Sequence, residues 1–296
     1  VVTEKHGLRY VRAGSVEEAV DLLGRLGPGY RPIAGGTDLL VGLRRGWYDG
    51  LEGVIDISRI SRLREITEDK NETRIGSCVT HAEASIHPLV CDSYSGLAAA
   101  SASVGSPQIR NRGTVGGNVV GAAPCADTIP PLVIADSVVH VECGSGERRL
   151  SLSEFVLEPY RTALAPDELV TGLLLPRLRA GGRWGYQRLA RRGALDRARA
   201  SVVVLVWLDD EGRVGEARIA CGAVLSKPRR LVEAEAVLPG EKPSAALFEE
   251  TAVAGATAVL TESGGRWSAP YKEKAIATLI ERALEQATGS EGSTGD

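Results

Sequence analysis

The sequence predicts an α+β fold in two domains, on three observations. Strand and helix signals alternate through the first part of the chain, each short and separated by turn residues. Composition then breaks at Pro176 to Arg183, where proline, glycine and arginine crowd together. Beyond the break, two apolar strand runs flank the polar turn Asp209-Asp210-Glu211-Gly212 and helical patterns follow, as in a small antiparallel sheet covered by helices. The expected division is 1–178, in lobes of about 1–57 and 58–178, then 179–288, with a disordered Gly-, Ser- and acid-rich tail at 289–296.

The elements follow in order. Ser15 and Glu18 form an S-x-x-E capping box, and Val16, Ala19, Val20, Leu22, Leu23 and Leu26 recur at helical spacing until Gly27-Pro28-Gly29 stops them. Arg31 to Ala34 reads as a short strand running into Gly35-Gly36, with a helix over Asp38 to Leu43 and another strand over Gly53 to Ile57. In the second lobe, Arg74 to Val79 reads as a strand and Thr80 with Glu83 as a second capping box. A small-residue helix is expected over Gly96 to Ser103, an ordered loop over Gly105 to Asp127, and a helix over Ile129 to Ala135. Ser137 to Glu142 and Val170 to Leu175 complete the strands of this half. In the second domain the strands are Ala200 to Leu208 and Val214 to Val224. The final helix carries one apolar stripe at Ala275, Ile276, Leu279, Ile280, Ala283 and Leu284.

Composition removes several classes of function. The 296 residues carry 35 basic and 38 acidic side chains, a formal charge of −3, and no basic face that would make nucleic acid the main partner. The five cysteines, Cys78, Cys91, Cys125, Cys143 and Cys221, lack C-x-x-C spacing, which argues against a zinc or iron–sulfur site held by this chain alone. The segment Val1 to Tyr10 is polar and the longest apolar run, Val202 to Leu208, has the length of a buried strand. Cytoplasm is therefore the expected compartment, and dispersed thiols fit it. His6, His81, His87 and His140 show no metal-ligand spacing, and His81 beside the capping Thr80 reads as structural. Asp209-Asp210 reads as a turn, Cys125 as a packing residue, and Trp47, Trp184, Trp207 and Trp267 as core or interface.

Two segments carry the chemistry. In Ile33-Ala34-Gly35-Gly36-Thr37-Asp38 a buried strand meets two glycines, then a hydroxyl and a carboxylate at a helix start. Glycine allows positive φ and close approach to the main chain, and successive N–H groups at such a turn form an anion-binding concavity. For one such pair alone, an ordinary tight turn capped by Asp38 is the favoured reading. The second segment, Gln108-Ile109-Arg110-Asn111-Arg112-Gly113-Thr114-Val115-Gly116-Gly117-Asn118, repeats the chemistry with an amide at its end. A solvated surface loop is the plain alternative, against which stand its length and the apolar Ile109 and Val115. Two glycine nests suit a ligand with two linked phosphates, such as the pyrophosphate of a dinucleotide. No P-loop and no G-x-G-x-x-G accompanies them, so neither a P-loop nucleotidase nor a Rossmann fold is indicated.

At these residues the chain resembles the FAD-binding medium subunits of the xanthine dehydrogenase and aerobic carbon monoxide dehydrogenase family. Ala34-Gly35-Gly36-Thr37-Asp38 is similar to the family's first flavin loop, and Gln108 to Asn118 to its QIRNxGTxGGN second loop. The resemblance continues through Pro124-Cys125-Ala126-Asp127, Arg161-Thr162-Ala163-Leu164, Pro166-Asp167-Glu168-Leu169, Gly222-Ala223-Val224, Lys227-Pro228-Arg229 and Ser268-Ala269-Pro270-Tyr271-Lys272. It implies a two-lobed FAD-binding domain of the vanillyl-alcohol-oxidase (PCMH) type, with a C-terminal α+β domain closing over the cofactor. By that resemblance Ala34, Gly35, Gly36, Thr37 and Asp38 with Thr114, Val115, Gly116, Gly117 and Asn118 would hold the pyrophosphate, Asp127 hydroxyls of the cofactor, and Arg188 would approach the flavin. Arg188 stands where the family often has lysine, and Val104 where some relatives have an aromatic against the adenine.

The implied function is electron transfer within a molybdenum hydroxylase. The partners would be a large molybdopterin subunit and a small [2Fe–2S] subunit, in a dimer of heterotrimers. Electrons would pass from the iron–sulfur clusters to FAD and on to an external acceptor, with no catalytic nucleophile and no metal on this chain. No cysteine-rich insertion for an additional cluster is present. Two other readings stand beside it: a self-sufficient flavin oxidase of related cofactor fold, and a non-enzymatic binding protein that has lost its flavin.

Overall fold

In the computed structural model of the chain, residues 2–5, 7–191, 196–263 and 269–289 are described. The expected tail beyond 289, His6, Trp267, Ser268 and the stretch 192–195 lie outside them. Strands β1 (Val2–Lys5) and β2 (Leu8–Arg12) lead into helix α1 (Val16–Leu26), followed by β3 (Tyr30–Ile33), α2 (Leu39–Arg44) and β4 (Gly53–Asp56). Their sheet has the order β1-β2-β4-β3, with β4 parallel to both β2 and β3, so α1 and α2 are the crossovers that parallel pairing requires. Ser15 caps α1 by accepting from the N–H of Glu18. The Glu18 carboxylate, however, reaches one residue further back than the box expects and accepts from Gly14 N–H at 2.7 Å. Val16, Ala19, Val20 and Leu23 are buried against Tyr30 and Ile55, and Cys78 and Leu169 of the next lobe close the same cluster.

The second lobe contains β5 (Ile66–Glu68), β6 (Glu72–Gly76), helices α3 (His81–Ile86), α4 (Pro88–Ser93), α5 (Ser95–Ser103), α6 (Pro107–Arg110), α7 (Val115–Gly121) and α8 (Ile129–Ile134). After them come β7 (Val138–Cys143), β8 (Gly146–Ser151), α9 (Leu152–Phe155), β9 (Val156–Glu158), β10 (Arg161–Thr162) and β11 (Leu169–Pro176). The main sheet is antiparallel in the order β5-β6-β11-β7-β8. Central β11 is buried over seven of its eight residues because helices cover one face and α1 approaches the other. The strand expected over Arg74 to Val79 lies earlier, ending at Gly76, where a Cβ would lie 2.3 Å from Leu63 O. The loop expected over Gly105 to Asp127 is also corrected: it holds α6 and α7. Ser106 and Thr114 cap them, and proline occupies the first turn of α6. Three glycines in α7 obscured the helical pattern that Val115 and Val119 carry on its buried face.

The remaining chain forms an antiparallel meander, β12 (Arg183–Leu189), β13 (Ala200–Leu208) and β14 (Val214–Gly222), then α10 (Val232–Glu235), α11 (Ala245–Ser263) and α12 (Ala269–Thr288). Alternation along β13 assigns its two faces. Val202, Val204 and Val206 meet Phe248, Ile276, Ile280 and Leu284 of the long helices. Val203, Leu205 and Trp207 meet Ile134 of α8. Burial on both sides explains why this strand reads as an uninterrupted apolar run.

Helix α8 is one of the elements that join the halves, and it is fastened at both ends. Ahead of it, Ala223 N–H donates to Pro124 O at 2.8 Å, and Gly222 is packed so closely that a Cβ would lie 2.9 Å from Pro130. Behind it, Arg218 of β14 donates to Ile134 O at 2.9 Å and pairs with Asp136 at 2.6 Å.

Candidate functional site

The first glycine pair occupies the turn from β3 into α2. Gly36 has φ 73°, a backbone region that side chains with a Cβ rarely adopt. Gly35 is bare for a different reason: a Cβ there would lie 1.8 Å from Arg112 O and 3.0 Å from the Cα of Gly113. The two glycine segments therefore touch. Asp38 stands at the start of α2 but its carboxylate accepts no capping hydrogen bond, and it is exposed. Among the described residues, the main-chain N–H groups of Gly35, Gly36, Thr37 and Asp38 have no acceptor. Four successive donors without acceptors, at a turn with a left-handed glycine, make the concavity that an anion fits.

The second segment is held from beneath. Val115 N–H donates to Val79 O at 2.9 Å, His81 N–H donates to Gly113 O at 3.0 Å, and Thr80 bridges Thr114. Residues 77–81 thus form a short ladder under 113–116. Within it the two glycines have separate roles. Gly116 is buried, and a Cβ would meet Ser77 atoms at 2.5–2.6 Å, so this position must be bare for the segments to pack. Gly117 is exposed, and among the described residues a Cβ would meet only Thr114 Oγ1, at 2.8 Å. Thr114 is the N-cap of α7, accepting from Gly117 N–H at 3.0 Å, while Val115 is fully buried. Asn118 Oδ1 accepts from Thr128 Oγ1 at 2.7 Å, which ties α7 to the turn before α8.

Asp127 and Arg188 meet across 61 residues of sequence. The Arg188 Nε donates to Asp127 Oδ1 at 3.1 Å, and a second guanidinium nitrogen donates to Asp196 O. Tyr186 Oη donates to the same Asp127 oxygen at 3.4 Å and shares a 3.1 Å bond with Ser103. Asp127 is 6% exposed, and burial raises its carboxyl pKa against the lowering by Arg188 and Tyr186. Burial likewise pushes the Tyr186 phenol up. Burial raises the Cys125 thiol pKa, against the lowering by the charge of Arg197.

The structure thus brings Ala34 to Asp38 against the second segment, with Gly121 of α7 4.0 Å from Asp38 by its would-be Cβ, and pairs Asp127 with Arg188. Sequence reasoning missed the supporting segment 77–81, Ser103 and Tyr186, because their partners are remote in sequence. Other candidates are engaged structurally. His140, Glu142 and Glu147 place one ligand atom each within 4.8 Å of one another. Arg62 grips both Glu142 oxygens, and Thr171 and Glu147 face the two ring nitrogens of His140. Asp209 Oδ1 accepts from Glu211 and Arg213 N–H groups, as a turn residue does. Trp47 is 56% exposed with Arg45 over its ring, whereas Trp207 is core. Among the described residues no helix is long and apolar enough to cross a membrane.

A dinucleotide fits these residues: unpaired donors for an anion, bare main chain on both sides, and a buried carboxylate among hydroxyl groups. Residues 5–178 match the family model for the FAD binding domain in molybdopterin dehydrogenase, and residues 184–287 that for the CO dehydrogenase flavoprotein C-terminal domain. The nicotine 6-hydroxylase medium subunit of Paenarthrobacter nicotinovorans is 32% identical over 280 residues, 95% of this chain and 97% of that one. The carbon monoxide dehydrogenase medium chain of Hydrogenophaga pseudoflava is 30% identical over 273 residues, covering 92% and 94%. A solved structure of carbon monoxide dehydrogenase from Hydrogenophaga pseudoflava, lacking the Mo-pyranopterin moiety of its cofactor, superposes with a TM-score of 0.88 at 30% identity, over 97% of this chain and 99% of that one. The expected α+β architecture, a FAD-binding domain followed by a flavoprotein C-terminal domain, is thereby established. Matched along both halves, the chain belongs to the FAD-binding medium subunits of the molybdenum hydroxylase oxidoreductases.

Proposed function

We propose that the chain is the electron-transfer flavoprotein of a cytoplasmic molybdenum hydroxylase complex. Its partners are a large molybdopterin subunit and a small [2Fe–2S] subunit, assembled as a dimer of heterotrimers. When bound, FAD supplies the one- and two-electron redox chemistry that links an iron–sulfur donor to an external acceptor. The chain's own residues bind and orient. The free N–H groups from Gly35 to Asp38 and the bare turn at Gly117 receive the pyrophosphate, with Ala34, Thr37, Thr114, Val115, Gly116 and Asn118 shaping the cradle. Asp127 holds cofactor hydroxyls, and Arg188 keeps that carboxylate oriented from the C-terminal sheet. We take 1–178 as the cofactor domain and 179–288 as the domain that closes on it.

The observation that supports this reading is the contact of Gly35 with Arg112 and Gly113, which sets the first glycine turn, with its free N–H groups, against the second glycine segment. The test is anaerobic. Flavin in the isolated chain should stay oxidised when candidate alcohols or aldehydes are added, and should bleach when a reduced [2Fe–2S] partner is supplied. Bleaching by a small substrate without any partner would instead establish a self-sufficient oxidase. A chain that holds no flavin would remove the reading altogether.

A further inference from the structure

His81 is 2% exposed and lies directly beneath the second glycine segment, its N–H bonded to Gly113 O at 3.0 Å. Its imidazole is unusual in having no hydrogen-bond partner on either nitrogen among the described residues. Nδ1 is sealed from solvent and unpartnered, and Nε2 has no protein acceptor or donor. The ring edge carrying Cδ2, to which Nε2 is bonded, faces the place where the two glycine turns meet. The Cβ position of Gly113 is 3.3 Å from His81 Cδ2 and 3.4 Å from Thr37 Oγ1, and Gly113 itself abuts Gly35.

Buried polar groups are almost always hydrogen-bonded; of the two nitrogens only Nδ1 is sealed off, so Nε2, unbonded and not enclosed, is the one a partner arriving at the cradle can reach. Burial, aided by repulsion from Arg110, lowers its pKa from 6.5 to about 4, so the ring is neutral at neutral pH and carries one N–H. A proton on Nδ1 would be a donor enclosed without an acceptor, whereas a proton on Nε2 sits on the edge toward the cradle. The remaining lone pair on Nδ1 is then the sealed atom.

We infer that His81 is a further contact for the phosphate anhydride of the dinucleotide, donating a hydrogen bond from Nε2–H. This rests on the cofactor reading given above. It adds a neutral donor below the cradle to the main-chain donors of the first turn.

The test uses the full chain stripped of flavin, titrated with FAD and with riboflavin, which lacks the phosphates, by quenching of flavin fluorescence. His81→Phe, which keeps a ring but no donor, should weaken FAD binding roughly thirtyfold, the value of one hydrogen bond to a charged group, and leave riboflavin unchanged. His81→Gln, whose amide nitrogen can reach the Nε2 position, should recover most of the loss. Equal FAD affinity in His81→Phe and the wild type, or parallel losses for FAD and riboflavin, would overturn the inference. Should the phenylalanine variant not fold, the wild type decides: among the four histidines, ADP should shift the Nε2 resonance of His81 in a nitrogen-15 spectrum, and an unmoved signal refutes the contact. Failure of the wild type to bind FAD at all would instead sink the cofactor reading, and this inference with it.

Discussion

Replacing Gly117 by valine separates cofactor binding from folding. The position is exposed, and among the described residues the only atom a Cβ would crowd is Thr114 Oγ1, at 2.8 Å. That hydroxyl caps α7 through Gly117 N–H, so its displacement costs about 1 kcal/mol, to which a β-branched residue in place of glycine adds little. A loss of that size is small beside the ~5–15 kcal/mol stability typical of a folded protein. The ligand loses more. Valine methyls stand between the main chain and an arriving anion, and forfeiting one charge-assisted hydrogen bond costs about 2 kcal/mol, roughly thirtyfold in affinity. Gly117→Val is therefore expected to purify folded but largely colourless, with visible flavin absorbance per chain well below the wild type and a correspondingly raised Kd. Gly116→Val is the control. Its Cβ would lie 2.5–2.6 Å from Ser77 atoms, so it should reduce the yield of folded chain before any effect on flavin is measured. A Gly117→Val protein that retains full flavin at unchanged affinity would refute the assignment of this turn.

Three further outcomes are expected. Arg188→Met leaves the Asp127 carboxylate buried without its cation and should cost about 3 kcal/mol in urea unfolding, while adding Asp127→Asn should recover at least half; strict additivity of the two changes would deny the pairing. His81 is held neutral in the fold, so as pH falls below 6.5 the unfolded chain takes up a proton that the folded one refuses. Stability should fall between pH 6.5 and about 4 by about 3 kcal/mol from this group alone, and the fall should be shallower in His81→Gln when unfolding is followed by circular dichroism. Arg218→Ala removes a donor from Ile134 O and an ion pair to half-exposed Asp136; a loss of about 1.5 kcal/mol and faster limited proteolysis between the halves are expected, and unchanged cleavage would count against the fastening.

The parts of the fold that local chemistry specifies were legible in the sequence. Ser15 and Thr80 mark helix starts as read, and β13 spans the run Ala200–Leu208 that the apolar pattern delimits. Thr80 and Glu83 close their capping box reciprocally, whereas Glu18 turns away to Gly14, a choice that depends on the path of the chain before the helix. Helix α7 was hidden because its glycines have low helix propensity and read as loop, although its capping Thr114 was in view. The glycine turns were visible as chemistry but their contact was not. Gly35 meets Arg112, and Asp127 meets Arg188, only through the packing of separate sheets. For the same reason His81 read as an ordinary residue at a helix start: its burial and its two unpartnered nitrogens exist only once 77–81 lies under 113–116.

Helix α8 works as a strut of fixed length. Side chains from β12 hold Asp127 at one end, and Arg218 from β14 holds Asp136 at the other, with a span on the order of 13 Å at helical rise. A flexible tether would let the C-terminal sheet drift and absorb any push upon it. A rigid spacer gripped at two points converts a tilt of that sheet into a displacement of Asp127. A displacement of the C-terminal sheet would therefore carry the buried carboxylate with it.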